Sequence, residues 1–138
     1  MRIILLLAGL FICLTCLAAG AAEPAREPAA QESIVGTYKG TLTLTNMHNI
    51  KDFSYTLEIL KIDKETGKVW MHVASPYYKS GDITRKNCEL VTGGSAAAIT
   101  CMGEQWHEDY EVKGDVVKAR GVSPRNFPYS ISATRVKP

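Results

Sequence analysis

From Ile34 onward, apolar residues recur at every second position in one segment after another. In Thr37–Thr45, Tyr38, Leu42 and Leu44 share one face with Gly40, while Thr37, Lys39, Thr41, Thr43 and Thr45 share the other. This period of two, with β-branched residues on the polar side, predicts a half-buried strand. Phe53, Tyr55, Leu57 and Ile59 continue the pattern, and Val69, Met71 and Val73 repeat it opposite Trp70 and His72. Between them Asp63–Gly67 has turn chemistry. Asn46–Lys51 and Ser75–Asp82 read as loops, the second carrying Pro76, Tyr77, Tyr78 and Gly81. A short helical turn is compatible with Asn46–Asp52 or with Gly103–Asp109.

Two hairpins define their own registers. Folding Cys88–Cys101 at Gly94–Ser95 sets Gly93 opposite Ala96, Leu90 opposite Ile99 and Cys88 opposite Cys101. Gly94 takes the first central position of a type II′ turn. The two cysteines fall on a non-hydrogen-bonded pair, where side chains approach most closely, within reach of a disulfide. Folding the next segment at Gly114–Asp115 sets Val112 against Val117 and Tyr110 against Ala119 on one face. On the other face Glu111 meets Lys118 and Asp109 meets Arg120. Apolar pairs inside and opposite charges outside agree on one register. A last strand, Tyr129–Val136, carries Tyr129, Ile131 and Ala133 on one side.

About eight short strands at 8–12-residue spacing, without a convincing helix, predict an all-β fold. Sequential antiparallel strands favour an up-and-down β-barrel, because closure removes exposed edges; a two-sheet β-sandwich is the alternative. An eight-stranded barrel is either filled by its side chains or holds one small ligand. The opening strand, Gly36-Thr37-Tyr38-Lys39-Gly40-Thr41-Leu42, resembles the first strand of bacterial calycin-like β-barrel domains, relatives of lipocalins. The Tyr110–Asp115 hairpin is similar to segments such barrels carry. Lipocalins place a Trp after the first Gly of this strand, and Tyr38 stands in that neighbourhood. The resemblance implies a barrel over residues 34–138 and no particular activity.

The first residues change the expected compartment. Arg2, the apolar run Ile3–Leu17 and Ala19-Gly20-Ala21 have the layout of a signal peptide over 1–21. The apolar run is short for a membrane span, so no span is expected in the mature chain. Residues 22–32, rich in Ala, Pro and Glu, read as a flexible leader, and 33–138 as one domain. Cys13 and Cys16 leave with the signal, and the remaining Cys88 and Cys101 suit a disulfide in an exported, periplasmic or extracellular protein. Loss of Arg2 leaves fifteen basic against fourteen acidic side chains, a balance that gives no argument for nucleic acid.

The chain has no GxSxG elbow, no HExxH and no Gly-rich phosphate loop, so no enzyme class is expected. Lys79, Arg85 and Lys86 read as a solvated strand face. Glu104, Glu108, Asp109 and Glu111 read as a solvated turn with cross-strand ion pairs. Met47-His48 and Met71-His72 hint at copper, but neighbouring strand residues point to opposite faces, so neither metal nor cofactor is expected. The aromatic residues are the better lead. Tyr38, Phe53, Tyr55, Leu57, Met71 and Tyr110 are the candidate lining of a pocket for a small apolar or amphipathic molecule. Tyr77, Tyr78, Lys79 and Trp106 are the candidate contacts of the alternative, an envelope-protein module such as a hydrolase inhibitor or assembly factor.

Overall fold

In a computed structural model the chain is described at residues 34–46, 48–91 and 96–138. The predicted signal peptide, the leader and the Gly94–Ser95 turn with its Gly93–Ala96 pair lie outside the described residues. Eight strands, β1 (Gly36–Asn46), β2 (Asn49–Ile62), β3 (Lys68–Ala74), β4 (Asp82–Val91), β5 (Ala97–Met102), β6 (His107–Lys113), β7 (Val116–Val122) and β8 (Pro128–Arg135), form a closed antiparallel barrel in sequence order. No helix occurs among the described residues. In the two segments with helical potential, the described residues of Asn46–Asp52 are strand and turn, and Gly103–Asp109 is a bend leading into strand. β1 and β2 stay paired out to Asn46 and Asn49, and Thr43 Oγ1 donates across them to Asp52 (2.7 Å).

The barrel closes where β1 meets β8, with Leu42 opposite Ile131 and Leu44 opposite Tyr129. The two backbones approach so closely there that a Cβ on Gly40 would lie 1.9 Å from the Ser132 carbonyl oxygen and 2.5 Å from the Ala133 Cα. A side chain on this inward position would wedge the seam open.

Both hairpin registers are as the side-chain pattern implies. Cys88 pairs with Cys101 and Leu90 with Ile99; Tyr110 pairs with Ala119 and Val112 with Val117. Cys88 and Cys101 form a disulfide whose Cα atoms are 4.0 Å apart, and both are buried. Alternation is interrupted once in β4. Val69 faces Cys88 while Met71 faces Arg85, so β4 fits three residue steps against two of β3. Such a β-bulge reverses the facing of everything beyond it.

The turns after β1, β3, β5 and β7 gather at one end of the barrel, the mouth; the other end, the base, holds the chain ends and the remaining turns. Ile34 is buried at the base. There Tyr38 donates from its hydroxyl to the Ile34 carbonyl (2.8 Å). Arg135 donates to the Tyr38 hydroxyl (2.6 Å) and to the Val35 carbonyl (3.0 Å), and pairs with Asp115 (3.2 Å). Its guanidinium also lies over the Tyr38 ring, 4.9 Å from the centroid.

We expect Gly40→Val to lower stability by about 1–3 kcal/mol, the usual cost of overpacking, read as a lower urea midpoint. An unchanged midpoint would contradict the tight β1–β8 approach.

Candidate functional site: a buried Arg–Glu–Tyr network beneath an aromatic mouth

Alternation along β6 puts Glu108, Tyr110 and Val112 on the inner face, and all three are buried. Glu108 exposes none of its surface, so the expectation of a solvated turn does not hold for it. The bulge in β4 turns Arg85 inward, with 7% of its surface exposed, while Lys86 and Asn87 face water. Strict alternation backwards from Leu90 and Cys88 would place Arg85 outside. The extra residue in the strand therefore overturns its assignment to a solvated face.

These two charges meet inside the mouth. Arg85 Nη2 donates to Glu108 Oε1 at 2.8 Å. The same oxygen accepts from the Tyr129 hydroxyl at 2.5 Å and, over a longer 3.4 Å, from the Tyr78 hydroxyl. Glu108 Oε2 accepts from the Tyr110 hydroxyl at 2.8 Å. The Tyr110 proton is thereby committed, so the 2.9 Å contact between the Tyr55 and Tyr110 hydroxyls has Tyr55 as donor. A carboxylate with several charge-assisted donors is a good partner for a buried guanidinium.

Gly121 makes part of this arrangement possible. It lies between Glu108 on β6 and Tyr129 on β8 in the ladder, and a Cβ there would lie 2.3 Å from the Tyr129 ring. Its bare backbone lets the phenol cross to Glu108.

Two loops cover the network. Residues 75–81 form a compact turn in which the Tyr78 amide donates to the Ser75 carbonyl and the Gly81 amide to the Tyr78 carbonyl. Gly81 adopts φ 80°, a left-handed conformation that suits glycine. This turn folds Tyr77 against Phe53, Tyr78 and Tyr129, with ring centroids 5.5 to 5.7 Å apart. From the second loop Trp106 covers Arg85, whose guanidinium carbon lies 4.0 Å from the indole centroid and 5.4 Å from the Tyr78 ring. Arg85 Nε is buried and has no hydrogen-bond partner among the described residues.

Of the predicted pocket lining, Tyr38, Tyr55, Leu57, Met71 and Tyr110 each expose 2% or less, so a water-sized sphere touches almost none of their surface. They are packed core; Tyr55 and Tyr110 belong to the network, whereas Tyr38 sits at the base. Phe53 is half-buried near the mouth. Of the predicted contact residues, Tyr77, Tyr78 and Trp106 pack against the core from the mouth, and only Lys79 is fully exposed. Met71 is buried and His72 faces outward, and no group of metal-ligating residues assembles among the described residues. A groove of about 350 Å³ on the barrel wall is lined by Thr45, His107, Arg120, Tyr129 and Ser130, among others. None of the predicted lining residues contributes to it.

No protein-family model and no curated protein matches the chain. Among solved structures it is similar to a protein of unknown function of the DUF3598 family from Nostoc punctiforme, with 12% identity and a TM-score of 0.45 over 77% of this chain and 48% of that one. The chain thus spans about half the length of that structure.

Burial is the largest cause raising the phenols of Tyr55, Tyr110, Tyr78 and Tyr129 above their ordinary value, and the Glu108 charge adds to it in each. Burial opposes the charge on Arg85, but Glu108 and the neighbouring phenols outweigh it and hold the guanidinium above its ordinary value. The raised phenols stabilise the fold fully below about pH 10, the ordinary tyrosine value. Above it only the unfolded chain ionises them, and stability falls by about 1.4 kcal/mol per pH unit for each such phenol. We expect alkaline unfolding to coincide with the rise in phenolate absorbance of these four residues. Their smooth titration in a protein that stays folded would contradict the network.

Arg85→Met should cost about 3–5 kcal/mol by leaving Glu108 buried without its cation. The double variant Arg85→Met/Glu108→Gln should cost clearly less than the sum of the two single changes. Additive losses in denaturant titrations would mean that the two side chains do not interact.

Proposed function

We propose that this is an exported, non-enzymatic, calycin-like β-barrel that binds a small apolar or amphipathic molecule at its mouth. The observation that carries the reading is the polar network of Arg85, Glu108, Tyr55, Tyr110 and Tyr129 beneath the aromatic residues Phe53, Tyr77, Tyr78 and Trp106. A few fixed polar groups within an aromatic enclosure are what a small-molecule site requires. The packed interior supports a site at the mouth over one at the centre of the barrel. A ligand enters by displacing part of the aromatic cover, most readily from the 75–81 loop, which belongs to no strand.

Support for export comes from the Cys88–Cys101 disulfide together with the signal-like first residues. The barrel closure and the position of Tyr38 support the calycin-like reading. The non-enzymatic reading draws on the sequence, which has no GxSxG elbow, no HExxH and no Gly-rich phosphate loop. A second reading, the docking of an envelope protein, draws on the exposed Ile50, Met102 and Phe127 near the same end.

Native mass spectrometry of the protein exported by its own host tests the first reading. We expect a one-to-one small-molecule adduct that Trp106→Ala weakens. Ligand-free protein alone, together with capture of an envelope protein through Tyr77 and Lys79, would replace the first reading with the second.

A further inference from the structure

Building on the ligand-binding reading above, we infer that the ligand is a neutral hydroxylated aromatic molecule, a phenol, that takes the place of the Tyr78 side chain. Two independent observations point to this chemistry. The first is the position of Tyr78 itself. Its ring comes from a loop, lies 5.4 Å from the Arg85 guanidinium carbon and packs edge-on to Tyr77. Its hydroxyl makes the longest contact with Glu108, 3.4 Å against 2.5 to 2.8 Å for the other donors. Tyr78 is therefore the member of the network most easily displaced, and the space it fills has the shape of a phenol.

The second is the hydrogen-bonding capacity left in the network. Besides the short bonds from Arg85 and Tyr129, Glu108 Oε1 accepts only a long one from Tyr78, and Arg85 Nε is a buried donor without an acceptor among the described residues. A group that both donates and accepts satisfies the two. A hydroxyl does so without adding charge to a site where Arg85 and Glu108 already balance. A carboxylate head would accept from Arg85 but would face the Glu108 carboxylate, and an apolar ring would leave Arg85 Nε unmet. Sites built to bind a hydroxyl discriminate strongly against analogues that lack one.

Equilibrium dialysis of the full chain at neutral pH against 2-naphthol, naphthalene and 2-naphthoate tests this, using the wild type and Tyr78→Ala. In the wild type, 2-naphthol should bind about tenfold to a hundredfold tighter than naphthalene, the span expected for a hydrogen bond to a charged group, and tighter than 2-naphthoate. Tyr78→Ala should strengthen 2-naphthol binding by removing the side chain that competes with it; a purely structural Tyr78 would not give that gain. The wild-type ranking decides the head group even if Tyr78→Ala fails to fold. Equal binding of 2-naphthol and naphthalene, or a preference for 2-naphthoate, would overturn the phenol inference and leave the ligand-binding reading standing. Weaker 2-naphthol binding by folded Tyr78→Ala would overturn the displacement. If none of the three compounds bound either protein, the phenol inference would fall, and an adduct on the exported protein would show whether the ligand-binding reading falls with it.

Discussion

Closure of β1 against β8 decides where every other side chain points. Once the eight strands form a ring, each residue faces either a narrow interior or water, and the pleat assigns the facing by parity. Gly40 permits the seam by leaving its inward position empty. The interior then has too little room for a free choice of polar groups. Any charge that parity sends inside must find its counter-charge and its hydrogen bonds there. Glu108 is sent inside by parity and Arg85 by the bulge in β4, and the phenols around them are the partners that make this tolerable.

Much of the wall was legible in the chain itself. Two hairpins announced their registers through paired cysteines, paired valines and opposed charges, and the period of two carried the rest. Parity also held a signal for Glu108, which lies two residues before the inward Tyr110. Its charge and its acidic neighbours made a solvated turn the simpler expectation. Arg85 was harder to place, because it depends on a bulge. Nothing in Thr84-Arg85-Lys86-Asn87 marks which residue is the extra one, and one inserted residue exchanges inside for outside. The inward fold of Tyr77, Tyr78 and Trp106 depends on contacts between loops distant in sequence, beyond what any local pattern encodes.

The two ends of the barrel solve the problem of closure differently. At the base, Arg135 ties the Tyr38 hydroxyl and the Val35 carbonyl together on the chain's own entry segment. At the mouth, the charged pair lies under rings contributed by loops, and Arg85 keeps one donor unmet. A buried ion pair is seldom the most stable filling for a core, and apolar residues of similar size would often do as well or better. It lies at the mouth rather than the base, where the phenols and the Trp106 ring around it offset its cost.

A closed wall holds Arg85 and Glu108 inside the mouth. A nuclear Overhauser spectrum of the folded protein tests it most directly. We expect cross-strand contacts from Leu42 to Ile131 and from Leu44 to Tyr129, together with contacts from the Arg85 side chain to the Trp106 ring. A missing β1–β8 set, or an Arg85 side chain in contact only with outward-facing neighbours, would contradict it.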